Sequence, residues 1–366
     1  MNSHQIAEIT DFRATVFKIP TETFEADGTF EWDSTTLLLV ELCANGKWGL
    51  GYTYGHRCLA MLVEDLMKKC VAGQNAFDIP LIWENLLHQI RNNGEVGLTA
   101  MGISAIDHAL WDLKAKCLDV SLCELLGRVR DHVPVYGSGG FTNYSDDQLR
   151  VQLSNWLELG ISRFKIKVGR DIERDLDRVR KARQIIGDHA ELFVDANGAY
   201  DFQTALKISH EFARSGVSWY EQPILPSDLE ALEELKRRLP PGMNLASGEY
   251  IYDLSELSYR LKFRAQHFIQ LDSTRCKGIT GFVKAVNSCE LSDVPVSSHC
   301  APSLHVALGC AFKNFKHIEY FFDHSRIENL IFTGVPQVQN GCLSPQTSKP
   351  GNGLELNRSV AEKYRQ

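Results

Sequence analysis

Beyond residue 132 the chain settles into an alternation that few architectures accommodate. Short runs of β-branched and aromatic residues fall at 133–137, 163–168, 191–195, 217–221, 244–248, 267–271, 294–298 and 317–321. Helical periodicity fills the stretches between most of them, at 144–159, 171–186, 201–214, 227–238 and 278–291. Eight strands at roughly one per 20–30 residues match an α/β barrel better than a doubly wound sheet. The clearest unit opens with Phe164-Lys165-Ile166-Lys167-Val168-Gly169 and closes with Phe193-Val194-Asp195-Ala196-Asn197-Gly198. Lys165 and Lys167, two apart, face one side of their strand.

The preceding residues read differently. Strands are expected at 6–19 and 35–43, with Leu37 to Leu42 the clearest. Between them Thr21 to Asp33 is polar and aromatic, a hairpin loop or a mobile lid. Trp48 to His56 is a Gly- and Tyr-rich segment in which no helix would be stable. Helical patterns then run to about residue 126; the strongest, Ala100 to Leu118, repeats Ile103, Ile106, Ala109, Leu110 and Leu113 at three- and four-residue spacing. This predicts a small α+β domain over 1–130, a barrel over 131–325, and a segment over 326–366 that returns to the first domain. Helical order fades after residue 322, and Gly341 to Leu356 reads as an extended tail.

Composition narrows the partners. The 366 residues are 44% apolar and 23% charged, ordinary for a globular chain with a sizeable core. With 39 Lys and Arg against 46 Asp and Glu, the net charge is -7; without a basic tail, nucleic acid is a poor partner. Ten cysteines with no C-x-x-C pair read as free thiols in a reducing compartment. Met1 to Gln5 lacks a basic stretch leading into an apolar one, and no apolar run is long enough for a membrane span. The expectation is a cytoplasmic protein.

Chemistry gathers at the strand ends. Asp195, Glu221, Glu249, Asp272, His299 and Glu319 follow successive strands after the one carrying Lys165 and Lys167. Each alone is as well explained by a helix cap, a salt bridge or a core histidine. Together, charges at the C-terminal ends of barrel strands converge on one pocket, where they are expensive unless paired or metal-bound. Asp195, Glu221 and Glu249 offer hard oxygen ligands suited to Mg2+. Lys167, near Lys165 and a metal, is expected to have a depressed pKa fit for a base. His299, held in one tautomer by Asp272, is the second base across the pocket. Glu319, if buried, stays protonated and donates to developing negative charge alongside Lys165. A carboxylate substrate would lose its α-proton here to give an enediolate, which either takes a proton back or expels a β-hydroxyl.

At these residues the sequence resembles the mandelate racemase subgroup of the enolase superfamily, over nearly its whole length. The resemblance implies an α/β fold: a modified TIM barrel, (β/α)7β, with an N-terminal α+β capping domain. It places a Lys-x-Lys motif on Lys165-Ile166-Lys167, magnesium ligands on Asp195, Glu221 and Glu249, a His–Asp dyad on His299 and Asp272, and an electrophilic Glu on Glu319. It implies a substrate hydroxyl contact near the metal for Asn197 and a carboxylate contact for Ser138. The cap would read the substrate through Thr21 to Asp33 and Trp48 to His56. Tyr52, Tyr54 and His56 would meet a polyol tail or an arene, and Arg57 would meet a distal carboxylate or sit on the following helix. The implied activity is Mg2+-dependent dehydration of an acid sugar, an aldonate or aldarate, to a 2-keto-3-deoxy acid, in a homo-oligomer. A racemase, epimerase or lactone cycloisomerase uses the same intermediate. A non-catalytic binding protein, or an unrelated metal lyase or Schiff-base aldolase, stands against these.

Overall fold

A computed structural model describes residues 6–366. Met1 to Gln5, on which the reading of no leader rests, lies outside the described residues. The chain begins with an antiparallel sheet in the order β1 (Ile9–Ala26), β2 (Glu31–Ala44), β3 (Lys47–Tyr54). The segment from Thr21 to Asp33 is therefore mostly strand, closed by a turn in which Asp27 Oδ1 accepts from the amides of Thr29 and Phe30 at 2.6 and 2.7 Å. Its alternation is hidden because the register slips between Pro20–Ser34 and Glu25–Trp32, bulging the polar run that follows Pro20. Trp48 to His56 falls largely on β3.

Four helices follow: α1 (Leu59–Leu66), α2 (Ile79–Ile90), α3 (Leu98–Leu118) and α4 (Leu122–Leu126). Helix α3 is buried nearly all round. Its polar residues serve as anchors: Asp112 accepts from Leu50 N of the sheet at 2.8 Å and from Asn352 N of the C-terminal tail at 2.7 Å.

Next come the parallel strands β4 (Val133–Gly139), β5 (Arg163–Lys167), β6 (Glu191–Asp195), β7 (Val217–Glu221), β8 (Asn244–Ser247), β9 (Phe268–Leu271), β10 (Val296–Ser298) and β11 (Ile318–Phe321). Each is followed by a helix: α5 (Asp146–Glu158), α6 (Ile172–Ile186), α7 (Phe202–Arg214), α8 (Leu229–Arg238), α9 (Leu254–Phe263), α10 (Gly278–Leu291), α11 (Pro302–Ala311) and α12 (Phe322–Ile331). The strands pair in chain order from β4 to β10, and β11 pairs with β4. The sheet curls closed where Ser298 N donates to His317 O at 3.2 Å and Lys316 N to Val296 O at 2.8 Å. Helices α5 to α9 share one start signal, a Ser or Asp whose side chain accepts from the amide three residues on: Ser145, Asp171, Asp201, Asp228 and Asp253. These acids are caps; those at the strand ends are not. Inside the barrel Tyr136, Phe193, Trp219 and Ala246 form a buried layer that closes it below the mouth.

The expectation that helical order fades after residue 322 is overturned by α12. Its buried side carries Asp323, Ser325 and Glu328 beside Ile327 and Ile331, so no apolar stripe marks it. Rather than completing an outer ring, Ile327 and Ile331 pack with Phe17, Leu37, Leu39 and Tyr52 of the N-terminal sheet. This explains a (β/α)7β character despite the eighth helix. Beyond it, Cys342–Leu343 pairs antiparallel with the start of β4, and Gly351 exchanges backbone bonds with Val120 and Leu122. All ten cysteines are free. Among the described residues no helix is long and apolar enough to cross a membrane.

Candidate active site

Strand register sets the first half of the site. Lys167, Asp195 and Glu221 are lateral partners across β5, β6 and β7, so their side chains leave the sheet at one level and on one face. Lys165 sits one pleat deeper, fully enclosed. Glu249 lies just beyond β8, reached through Gly248 at φ +133°; a Cβ there would meet Gln270 O at 2.7 Å, so only glycine makes this turn. Oxygens of Asp195, Glu221 and Glu249 come within 4.8 Å of one another, all buried.

Two lysines offset this charge from one side. Lys167 Nζ lies 2.6 Å from Asp195 Oδ2; Lys165 Nζ lies 2.5 Å from Glu221 Oε1, 2.7 Å from Glu319 Oε1 and 3.6 Å from Asp195 Oδ2. Ser138 Oγ donates to Glu319 Oε1 at 2.6 Å, and Cys300 N donates to Glu319 Oε2 at 2.8 Å. On the other side His299 Nδ1 lies 2.8 Å from Asp272 Oδ2, and His299 Nε2 lies 3.4 Å from Glu249 Oε2. Asp272 is itself held by Thr274, whose amide and hydroxyl both donate to its Oδ1 at 2.7 Å. The imidazole proton is thus pinned on Nδ1 and Nε2 faces the triad.

The expected depression of Lys167 depends on a cation at Asp195: burial lowers the ammonium, the Asp195 carboxylate by itself outweighs burial and raises it, and an ion sharing that carboxylate would weaken the pull. The expectation for Glu319 is corrected. Burial alone would raise Glu319, but Lys165 outweighs it and keeps the carboxyl well below the usual carboxylate range. Glu319 is therefore an ionised partner of Lys165 rather than a neutral donor. Glu221 is driven upward, first by burial and then by Asp195.

Above these groups opens a cleft of about 480 Å³, within the range of small-molecule sites, walled on one side by the β1–β2 hairpin. Lys167, Asn197, Glu249, His299 and Glu319 line it from the barrel, and Tyr54 and His56 from the end of β3. Tyr52 does not reach it: its hydroxyl donates to Glu328 Oε1 at 2.6 Å and its ring stacks on Phe332. Tyr52 and Tyr54 share a face of β3, but only Tyr54 is at the mouth. Arg57 is exposed and outside the lining. Four further lining residues were not singled out in the sequence, although Trp32 lies within Thr21 to Asp33. Arg275 donates to Glu249 O at 3.1 Å and lies 3.6 Å from Asp272; Cys300 Sγ is 3.3 Å from His299 Nε2; His324 stacks on Tyr54 at 3.5 Å; Trp32 projects from the hairpin. The other hint was Cys300, adjacent to His299.

The carboxylate triad fits Mg2+: three hard oxygen donors crowd together with more negative charge than Lys165 and Lys167 can pair once Glu319 is counted. The second cluster, His299, Cys300 and Glu319, offers nitrogen, sulfur and an already committed carboxylate, a poor set for a hard ion.

Residues 148–360 match the family described as Enolase C-terminal domain-like, and residues 18–127 match the Mandelate racemase / muconate lactonizing enzyme, N-terminal domain. A solved mandelate racemase/muconate lactonizing enzyme-like protein from Rubrobacter xylanophilus superposes with a TM-score of 0.96 at 43% identity, over 98% of this chain and 100% of that one. The 3,6-anhydro-alpha-L-galactonate cycloisomerase of Streptomyces coelicolor is 29% identical over 353 residues, 94% of this chain and 96% of its own. The L-talarate/galactarate dehydratase of Salmonella typhimurium is 30% identical over 304 residues, 82% of this chain and 75% of its own. With its two parts matched in order and its fold superposing almost end to end, the chain belongs to the mandelate racemase/muconate lactonizing enzyme family of the enolase superfamily.

Proposed function

We propose that the protein is a Mg2+-dependent enzyme that removes the proton next to the carboxylate of an acid sugar, leading to dehydration or cycloisomerisation. One observation carries this reading. Lys167 touches the carboxylate triad at Asp195 while His299 touches it at Glu249, so two proton-transfer groups flank one cation site. The relatives support it: one is a cycloisomerase of an anhydro-galactonate, another a dehydratase of talarate and galactarate.

Asp195, Glu221 and Glu249 would hold the ion, which when bound supplies Lewis-acid stabilisation to a substrate carboxylate. The remaining work belongs to the chain. Lys165, oriented by Glu221 and Glu319, presents positive charge to the carboxylate as electron density moves onto it. Lys167 or His299 takes the C2 proton, according to which face of the substrate presents it. Asp272 stabilises His299 as it gains charge. The resulting C2–C3 π bond forms as the C3–O bond breaks. The leaving hydroxyl takes a proton from the acid opposite or beside the base and departs as water, and the enol tautomerises to a 2-keto-3-deoxy acid. Where a ring oxygen is the leaving group, the same steps open or rearrange the ring.

The test is a panel of acid sugars with Mg2+, reading 2-keto acid with semicarbazide and C2 exchange by NMR in deuterium oxide. Keto acid carrying solvent deuterium at C3 is expected. Exchange at C2 with no keto acid would move the assignment to racemisation or epimerisation, and neither keto acid nor exchange with any acid sugar would sink it.

A further inference from the structure

We infer that the substrate has a single carboxylate and a neutral, hydroxyl-bearing tail, an aldonate rather than an aldarate, and that the β1–β2 hairpin with the end of β3 makes this choice. The inference rests on the acid-sugar reading above and refines it.

What the distal wall can recognise is set by the hydrogen-bonding capacity it has left. Ser34 Oγ donates its proton to Asp33 Oδ1 at 2.8 Å, and Thr35 Oγ1 donates its own to Asp323 Oδ2. Both hydroxyls line the cleft; Thr35, part-buried with its proton on Asp323, presents lone pairs, while the more open Ser34 can accept as well as donate. Trp32 Nε1 is likewise spent on Glu25 Oε2 at 2.8 Å. Asp27, at the hairpin tip, adds a carboxylate to the same lining. Asn197 Oδ1, buried at the junction with the barrel, accepts from no protein group. The wall is therefore rich in acceptors.

Its uncommitted donors are neutral or peripheral. The buried Tyr54 hydroxyl has no partner in the protein. His324, whose Nδ1 accepts from Ala301 N at 3.4 Å, is pushed down to about 3 by burial and by His299, so it stays uncharged. His56 sits at the exposed rim, its Nδ1 accepting from Cys58 N at 3.2 Å.

Cations are absent from this wall. Among the described residues the lining contains one lysine and one arginine, both at the barrel side. Lys167 is paired with Asp195, and Arg275 lies between Glu249 and Asp272. Arg170, which donates to Asp27 O at 2.7 Å and to Phe30 O at 3.0 Å as well as pairing with Glu31, and Arg326, paired with Asp323, stay outside the lining.

A tail of hydroxyls donates to Asp27, Ser34, Thr35 and Asn197 and accepts from Tyr54, so nearly every open valence is met. A second carboxylate has no proton to give. It would meet the lone pairs of Thr35 and the carboxylate of Asp27, with only neutral donors such as Tyr54 to offset them and no cation in the distal lining.

The experiment compares aldonates with aldarates of matched C2–C5 configuration in the Mg2+-loaded protein, by C2 exchange in deuterium oxide and by kcat/KM for keto acid. An aldonate is expected to be preferred by roughly 100-fold or more, the scale on which unpaired buried polar groups discriminate. Equal or better turnover of an aldarate overturns the inference while leaving the acid-sugar reading standing. Failure of every acid sugar either to give keto acid or to exchange at C2 overturns both. The Asp27→Asn variant preserves the turn, because its amide oxygen still accepts from Thr29 and Phe30, while removing the charge. It should raise the aldarate-to-aldonate ratio by about tenfold; an unchanged ratio would show that this wall is not the discriminating element.

Discussion

The floor of the cleft and its distal wall are built on opposite principles. On the floor, charged groups stand on strands bonded on both sides, and Lys165 and Lys167 pair with Asp195, Glu221 and Glu319 over distances of 2.5 to 3.6 Å. The wall is carried by a hairpin end docked on the barrel's loops, through Thr142 N to Ala26 O at 2.8 Å, Asn143 Nδ2 to Phe24 O at 2.6 Å and Arg170 Nε to Asp27 O at 2.7 Å among others. At its tip Gly28 lies so close that a Cβ would sit 2.5 Å from Ala196 O. Proton transfer tolerates little displacement, so its groups are mounted where the backbone is most constrained. Recognition of a tail tolerates more, and an end of a hairpin can change its side chains without shifting a metal ligand.

The contrast should break first on the floor. Lys167→Ala and His299→Asn are each expected to lower kcat by about 1000-fold for substrates presenting the proton to that residue, within the range for general acid–base groups. Face-resolved C2 exchange checks this; loss of neither face would show that the bases lie elsewhere. Glu221→Gln should weaken Mg2+ by at least about 100-fold. Titration calorimetry measures it directly, and the rise in melting temperature that Mg2+ gives the parent protein should disappear.

The wall should yield smaller effects of a different kind. Tyr54→Phe removes a hydroxyl without a protein partner, so kcat/KM should fall by only about tenfold, the weight of one hydrogen bond to substrate. The melting temperature should hold; a large drop would mean the hydroxyl is structural.

The smallest effect concerns stability behind the wall. Burial, and then Asp323, pushes Glu25 up to about 8 from an ordinary 4.5, so the folded chain binds its proton more tightly than the unfolded chain. That stability is complete below pH 4.5 and is lost as pH rises towards 8. Glu25→Gln should flatten this decline and raise the melting temperature at pH 8.5 by about 2–4 °C, the shift expected for ~1 kcal/mol. Melting curves from pH 5 to 9 would expose an unaltered slope.

Much of the barrel was legible because its strands are short apolar runs buried on both faces and its helices keep a three- and four-residue apolar spacing, patterns that survive in one dimension. Asp195, Glu221, Glu249, Asp272, His299 and Glu319 were legible because ionisable groups at the ends of apolar runs violate the local pattern. Helix α12 was not, since its buried face carries Asp323 and Glu328, whose partners Thr35 and Tyr52 lie almost 300 residues away. The turn inside Thr21 to Asp33 was obscured by the slip after Pro20.

The sequence by itself determined the order of strands, the acids and bases at their ends, and the side of each strand on which they stand, because a two-residue period follows from backbone geometry alone. Depth and charge state were decided by the tertiary structure. Tyr52 and Tyr54 obey the same alternation, yet one is anchored to Glu328 and the other opens onto the cleft. Glu319 has the ionisation opposite to that expected because Lys165 outweighs burial. Electrostatic pairing and the commitment of the Thr35 proton to Asp323 depend on which distant groups meet, and only packing settles that.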